Sequence, residues 1–302
     1  MKRRINTTLQ KLLLLIIIII IYEISTNHIG NNEKISSIQK REIEITEEQQ
    51  EANKSPFNIH FIDVDQGDAI LIENEHQYAL IDAGSNESKN KLISYLKQQP
   101  ITSLEFVIGT HAHEDHIGGM DEVIKNFQIK HFYMPNVITT TKTFEDVLDA
   151  LKEKKITFET PKIEEELKLG EAIIKIVWVG EDKEDLNNTS IIVKVIYKDT
   201  SYLLTGDATN TVEKEILEKD LESTVLKVAH HGSQYSSSAQ FLKKVYPKIA
   251  IISVGKDNSY GHPKEIVLKK LERIGSKIYR TDESGTIILS SEGKEIKIYT
   301  EK

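Results

Sequence analysis

The densest chemistry in the chain lies in six consecutive residues, His111-Ala112-His113-Glu114-Asp115-His116, set between the apolar run Phe106 to Thr110 and the pair Gly118-Gly119. Neutral imidazoles and carboxylates are the donors that Zn²⁺, Mn²⁺ or Fe²⁺ prefer. His111 and His113 stand two residues apart at a strand end, so in extended backbone they point the same way. Asp115 and His116 follow a turn and reach a second position beside them. A divalent cation held there brings the pKa of bound water towards neutrality, so the chemistry expected is hydrolysis. The chain has no Cys, which excludes thiol nucleophiles, zinc–thiolate sites and iron–sulfur clusters and leaves any metal to His, Asp or Glu.

The same residue types recur where other apolar runs stop. Asp82 closes Ala79 to Ile81 and precedes Ala83-Gly84, and Asp207 closes Leu203-Leu204-Thr205-Gly206. His230 and His231 close Val225 to Ala229 and precede Gly232-Ser233. A lone Asp in such a place is ordinarily a turn residue. Recurrence beside the His cluster points instead to one site at a sheet edge, where strands fix the ligands and loops leave a face open. The elements that must do this are strands over Tyr78 to Ile81, Phe106 to Thr110, Tyr202 to Leu204, Thr224 to Val228 and Ile249 to Val254. Helices are expected over Glu87 to Gln98, Asp121 to Phe127, Thr143 to Lys154, Asn210 to Lys219, Ser238 to Val245 and Pro263 to Gly275. Many strands interleaved with helices argue for a layered α/β or α+β domain.

Taken together, Asp82-Ala83-Gly84, His111 to His116, Thr205-Gly206-Asp207 and His230-His231-Gly232-Ser233 resemble the metallo-β-lactamase-fold superfamily. Three further strings, Phe61 to Ile70, Asn187-Asn188-Thr189-Ser190 and Asn258-Ser259-Tyr260-Gly261-His262-Pro263, resemble the C-terminal domain of ComEC/Rec2 DNA-uptake proteins. The resemblance implies an α+β fold, the αββα sandwich, with one or two divalent metal ions, Zn or Mn, and a metal-bound hydroxide as nucleophile. Carried over by position, His111 and His113 hold the first metal, while Asp115 and His116 hold the second. Asp207 bridges or caps the pair, and His230, chosen over His231, completes the second site. Asp115 is also taken as catalytic. Asp82, Asn188, Ser190, His231, Ser233, Asn258, Tyr260, Lys256 and Lys264 are expected to orient ligands or touch substrate. His262, in a Gly-His-Pro turn flanked by Lys256 and Lys264, is the candidate acid for a leaving group. Ser233, Ser236, Ser237 and Ser238 either hold a phosphate oxygen or form a loop and helix cap. One departure stands out: no His occurs between His131 and His230, where many family members place another ligand. The first metal is accordingly expected to be weak, substrate-dependent or absent.

Composition sets the remaining bounds. At 302 residues, 39% hydrophobic and 28% charged, the chain has too much apolar material for a disordered protein. The net charge of −8 is not that of the usual nucleic-acid binder, yet residues 239–280 carry ten Lys or Arg against Asp257, Glu265 and Glu272, enough for one basic face. Lys2, Arg3, Arg4 and Lys11 precede the apolar run Leu12 to Tyr22, the pattern of a secretory signal or a retained anchor. The organisation expected is a signal or anchor over 1–24, a flexible linker over 25–55 and the hydrolase domain over 56–302.

These features predict an extracytoplasmic phosphodiesterase or nuclease, secreted or anchored to the membrane by its N-terminal segment, acting on DNA or another phosphodiester polymer, with a DNA-uptake channel as a partner. The alternative is a small-molecule or cell-wall esterase of the same fold, acting on a choline or teichoic phosphodiester or a lactone. A non-catalytic binding module is a third class, and retention of every ligand type of the second site argues against it.

Overall fold

The structure, a computed structural model, describes residues 55–302 apart from Lys183. The expected signal or anchor over 1–24, and all but the last residue of the expected linker, lie outside the described residues. No helix among the described residues is long and apolar enough to cross a membrane.

Among the described residues, fifteen strands form two sheets. The first contains β1 (Phe57–Phe61), β2 (Ile70–Asn74), β3 (Gln77–Ile81), β4 (Ser103–Ile108), β5 (Gln128–Tyr133) and β6 (Phe158–Glu159), and the C-terminal β14 (Ile287–Ser291) and β15 (Ile296–Thr300) return to join it, in the order β15-β14-β1-β2-β3-β4-β5-β6. The second runs β13-β12-β11-β10-β9-β8-β7, comprising β7 (Glu166–Leu169), β8 (Ala172–Trp178), β9 (Ile192–Tyr197), β10 (Thr200–Leu204), β11 (Val225–Lys227), β12 (Ile249–Ile252) and β13 (Lys277–Arg280). Period-two patterning explains why they face each other. Phe57, Ile59 and Phe61 of β1 point into the space between the sheets together with Ile70, Ile72, Tyr202, Leu204 and Val225. Phe57 stacks on Tyr197 across this space, with ring centroids 4.6 Å apart.

Helices cover both outer faces. On the first sheet lie α1 (Lys89–Gln98), the single turn α2 (Glu114–Ile117), α3 (Met120–Asn126) and α4 (Lys142–Lys154), whose Leu92, Leu96, Val123, Phe144 and Val147 pack on Leu71, Leu80 and Val107. On the second lie α5 (Asn210–Glu215), α6 (Ala239–Val245) and α7 (Glu265–Arg273), with Val212, Phe241, Leu242, Val267 and Leu271 buried against Leu203, Leu226 and Ala250. The layers are therefore helix, sheet, sheet, helix, and a last helical turn, α8 (Thr281–Ser284), leads into β14.

Strand direction places the site. β3 and β4 run parallel in the first sheet, and β10, β11 and β12 run parallel in the second. Asp82, the segment 110–116, Asp207, His230 with His231, and the segment 253–262 all follow the C-terminal ends of these strands. The basic segment divides rather than forming one face. Lys248 and Lys277 meet at the opposite end of the sheet, where the Lys277 N–H donates to the Lys248 carbonyl, whereas Lys256 follows the site end of β12.

One buried polar group is far from this edge. His60 on β1 points to the helix side, its Nδ1 2.7 Å from the Tyr95 hydroxyl of α1. Burial pushes its imidazole down from 6.5 to about 4. Between these values the unfolded chain takes up a proton that the folded chain refuses, so stability is full above the ordinary histidine value and is lost as the pH falls towards 4. The shift corresponds to a loss of roughly 3 kcal/mol. Urea unfolding at about pH 7 and about pH 4.5 is expected to show this loss in the wild type and to show it reduced by most of that amount in His60→Phe; equal pH slopes in the two proteins would contradict it.

Candidate metal centre

His116, on the single turn α2, is oriented from behind. Its Nδ1–H donates to Asp82 Oδ2 at 2.7 Å, and Asp82 also accepts from the Thr110 N–H and hydroxyl, both at 2.7 Å. With Nδ1 engaged by Asp82, Nε2 is the ring atom turned to the floor, where it lies 3.2 Å from Asp207 Oδ2, buried and without a hydrogen-bond partner. His231 is set in the same way: Nδ1–H donates to the Ser253 carbonyl at 2.8 Å, leaving Nε2 3.2 Å from Asp115 Oδ2 and 3.5 Å from Asp207 Oδ2. A hydrogen bond on one ring nitrogen that fixes the other as a ligand is how proteins prepare imidazole for a metal. Ligand atoms of Asp115, His116, Asp207 and His231 all lie within 4.8 Å of one another.

The backbone reaches this arrangement through strained turns. Asp82, His230 and His231 all have positive φ, at 58°, 52° and 51°, a conformation that costs a non-glycine residue on the order of 1–3 kcal/mol. Gly67 permits a close approach on the other side. A Cβ there would lie 2.2 Å from the Asp115 carbonyl oxygen, which instead accepts the Asp68 N–H at 3.1 Å.

The electrostatics follow from crowding. Burial would push the His116 imidazole down, but Asp207, Asp82 and Asp115 outweigh it and hold the ring well above its ordinary value. Burial would raise Asp207, yet His116 and His231 hold its carboxyl well below the usual range. Two imidazoles and two carboxylates, with His116 Nε2 and Asp207 Oδ1 buried and without partners, fit Zn²⁺, Mn²⁺ or Fe²⁺.

His111 and His113 form an adjoining pair outside that group. β4 ends at Ile108 and the chain bends at His111 and Ala112, so the two histidines do not extend a strand, but His111 Nε2 still comes 3.0 Å from His113 Nδ1. Burial, then the neighbouring His116, pushes His111 well below the ordinary histidine value. Ser190, in the region without a further His, is buried, accepts the Asp207 N–H at 3.1 Å and stands 3.5 Å from His111 Nδ1.

The adjacent histidines exchange the places expected of them. His231, not His230, turns to the floor with Asp115, His116 and Asp207, because consecutive left-handed residues send the two side chains apart. His230 Nε2 lies 3.9 Å from Asp207 Oδ2, and its ring meets His262 edge-on at 5.6 Å. His262 stacks on the exposed Tyr260 at 5.8 Å, and burial, then His230 and His231, lowers its pKa to about 4. Asn258 braces that loop by accepting the His262 N–H and donating to the His262 and Gly255 carbonyls.

Several expected contacts turn out to be structural. Asn188 joins Asp182 to Thr209, and Lys264 donates to the Tyr260 carbonyl. Ser233 is buried, and the backbone of Ser237 and Ser238 donates to Glu213, with the Ser238 hydroxyl capping α6. The serine loop is thus a cap and does not line the cavity.

Two buried residues escaped the sequence reading. Lys227, on the inward face of β11, forms an ion pair with Asp68 in the loop between β1 and β2, and both are essentially inaccessible. The available signal was a lysine inside the apolar run Val225 to Ala229, which demands a buried carboxylate somewhere.

Above the floor opens a cavity of about 1110 Å³ with unlike walls. The loops of the first sheet contribute Asp65, Glu87 and Glu114, while those of the second contribute Lys256, Ser259, Tyr260 and His262.

Residues 62–256 match the family model of the Metallo-beta-lactamase superfamily. ComE operon protein 3 of Bacillus subtilis (strain 168) is 32% identical over 254 residues, covering 77% of this chain and 33% of that protein. Recombination protein 2 of Haemophilus influenzae is 29% identical over 251 residues, covering 78% of this chain and 29% of that protein. The chain spans about a third of the length of these relatives. Among solved structures, CmlA, a diiron β-hydroxylase from Streptomyces venezuelae, is similar with a TM-score of 0.55 at 12% identity, over 78% of this chain and 54% of that one. The metallo-β-lactamase-fold protein YhfI from Bacillus subtilis is similar with a TM-score of 0.50 at 13% identity, over 74% of this chain and 96% of that one. At such identities the structural likeness concerns the fold, whereas the sequence match over residues 62–256 makes this chain a member of the metallo-β-lactamase superfamily.

Proposed function

We propose that this chain is a metal-dependent phosphodiesterase that hydrolyses DNA outside the cytoplasm, carried there by its N-terminal segment and working beside a DNA-uptake channel. The observation that carries the reading is the convergence of Asp115, His116, Asp207 and His231 at the base of a large open cavity that Asp115, Asp207 and His231 line. Relatives named ComE operon protein 3 and Recombination protein 2 support DNA as the substrate.

Asp115, His116, Asp207 and His231 would hold one ion, and His111 with His113 would hold a second. A bound divalent cation supplies acidification of water and withdrawal of charge from a phosphoryl oxygen. The chain's own residues do the rest. Asp82 and the Ser253 carbonyl keep the lone pairs of His116 and His231 aimed at the floor. Asp115, whose side chain is 25% exposed, opens to the cavity and orients water there. Lys256 offsets phosphate charge at the rim. His262 is a neutral ring at pH 7, so it serves as a hydrogen-bond partner to the leaving group through an imidazole N–H rather than as an imidazolium acid.

A second reading, hydrolysis of a smaller phosphodiester with a cationic group such as choline, is favoured by one observation. The first-sheet wall of Asp65, Glu87 and Glu114 repels a polyanion and attracts a cation. Incubating the full chain with labelled single- and double-stranded DNA and with a small choline phosphodiester, in Mn²⁺, Zn²⁺ or Mg²⁺, separates the two. The expected result is metal-dependent cleavage of DNA that Asp207→Ala abolishes. Turnover of only the small ester, with DNA intact in every metal, would overturn the DNA reading.

Metal uptake is also expected to displace protons, because His116 and His231 are held above the ordinary histidine value in the metal-free chain. Affinity therefore rises with pH through the neutral range. Calorimetric titration of Zn²⁺ in buffers of different ionisation enthalpy should register net proton release near pH 7; heats that do not vary with the buffer would contradict it.

A further inference from the structure

We infer that Lys227 is a positioning residue of the metal centre, holding Asp68 away from the Nδ1 protons of His116 and His231 so that both rings keep Nε2 towards the ion. The inference rests on the metal assignment above.

Asp68 lies directly behind both imidazoles. Its Oδ1 is 3.6 Å from His231 Nδ1, and its Oδ2 is 3.8 Å from His116 Nδ1. Neither distance is a hydrogen bond, because each Nδ1–H is already given elsewhere, to Ser253 O and to Asp82 Oδ2. Asp68 itself has an oxygen, Oδ1, without a hydrogen-bond partner, and its one ion-pair partner other than imidazole is the Lys227 ammonium on Oδ2. A carboxylate buried this deeply and left without its cation would compete for whichever donor lay nearest, and the nearest donors are the two ligand rings. Taking the Nδ1–H of either would pull that ring from its anchor and turn its Nε2 off the floor. Asp68, Asp82 and His116 together have a donor set suited to a cation, and the lysine ammonium occupies the Asp68 corner of it.

The sign of one substitution separates positioning from field. Lys227→Met keeps the length of the side chain and removes a positive charge beside a cation site, so a purely Coulombic role predicts tighter metal binding. Positioning predicts the reverse: binding of Zn²⁺ and of Mn²⁺, measured on the full chain by competition with a chromogenic chelator, weakens on the order of 10- to 100-fold, the usual loss when an outer partner of a ligand is removed. Asp68→Asn/Lys227→Met, which removes the competitor together with its lock, is expected to return to within about threefold of the wild type. Tighter or unchanged binding in Lys227→Met overturns the inference, as does a loss that the double variant fails to restore. Where Lys227→Met alone does not fold, the double variant decides: near-wild-type affinity supports the inference, and a loss of about tenfold or more overturns it. A wild-type chain that binds neither metal would refute the metal assignment itself, a result distinct from either of these.

Discussion

Four carboxylates crowd around two imidazoles, Asp115 and Asp207 on the floor and Asp68 and Asp82 behind it, and the rest of the centre is organised around their mutual repulsion. Taking a single carboxylate out of water costs several kcal/mol unless donors or cations replace the solvent. Asp82 receives the Thr110 N–H, the Thr110 hydroxyl and the His116 Nδ1–H. Asp68 receives the Lys227 ammonium. Asp115 and Asp207 face the Nε2 atoms of His116 and His231, which they hold above the ordinary histidine value and which a cation would displace from their protons. The carboxylates that the fold leaves to imidazole alone are the ones that would hold a divalent ion.

The sandwich supplies the geometry for this. Parallel strands in both sheets end at the same edge, so short loops from five strands reach a common point without long excursions. The turns that carry Asp82, His230 and His231 are strained, and the two packed sheets with their helical layers bear that cost. Superfamily membership leaves the reaction open, since the similar fold of CmlA serves a diiron β-hydroxylase. Phosphodiester hydrolysis is favoured by the floor ligands and by the open cavity above them.

Much of this was legible in the chain itself. Asp82, His116 and Asp207 stand at the ends of apolar runs, and period-two patterning located most of the strands bearing them. The elements that escaped are short or weakly periodic: β5, whose Gln128, Lys130 and His131 interrupt any alternation, β6 and β7, of two and four residues, and the single turns α2 and α8. His230 and His231 are identical in type and adjacent, and only their left-handed backbone decides which ring turns inward. The serine loop showed its hydroxyls but not Glu213, the distant carboxylate that grips its backbone. The Asp68–Lys227 pair joins a loop of one sheet to a strand of the other, so neither partner predicts the other from local pattern.

Crystals grown with Mn²⁺ or Zn²⁺ and measured at the absorption edge of the metal would locate the ion itself. An anomalous difference peak is expected among Asp115, His116, Asp207 and His231, with the Nδ1 of His116 still on Asp82. A peak confined to His111 and His113, or none at any metal concentration that the folded protein tolerates, would contradict it.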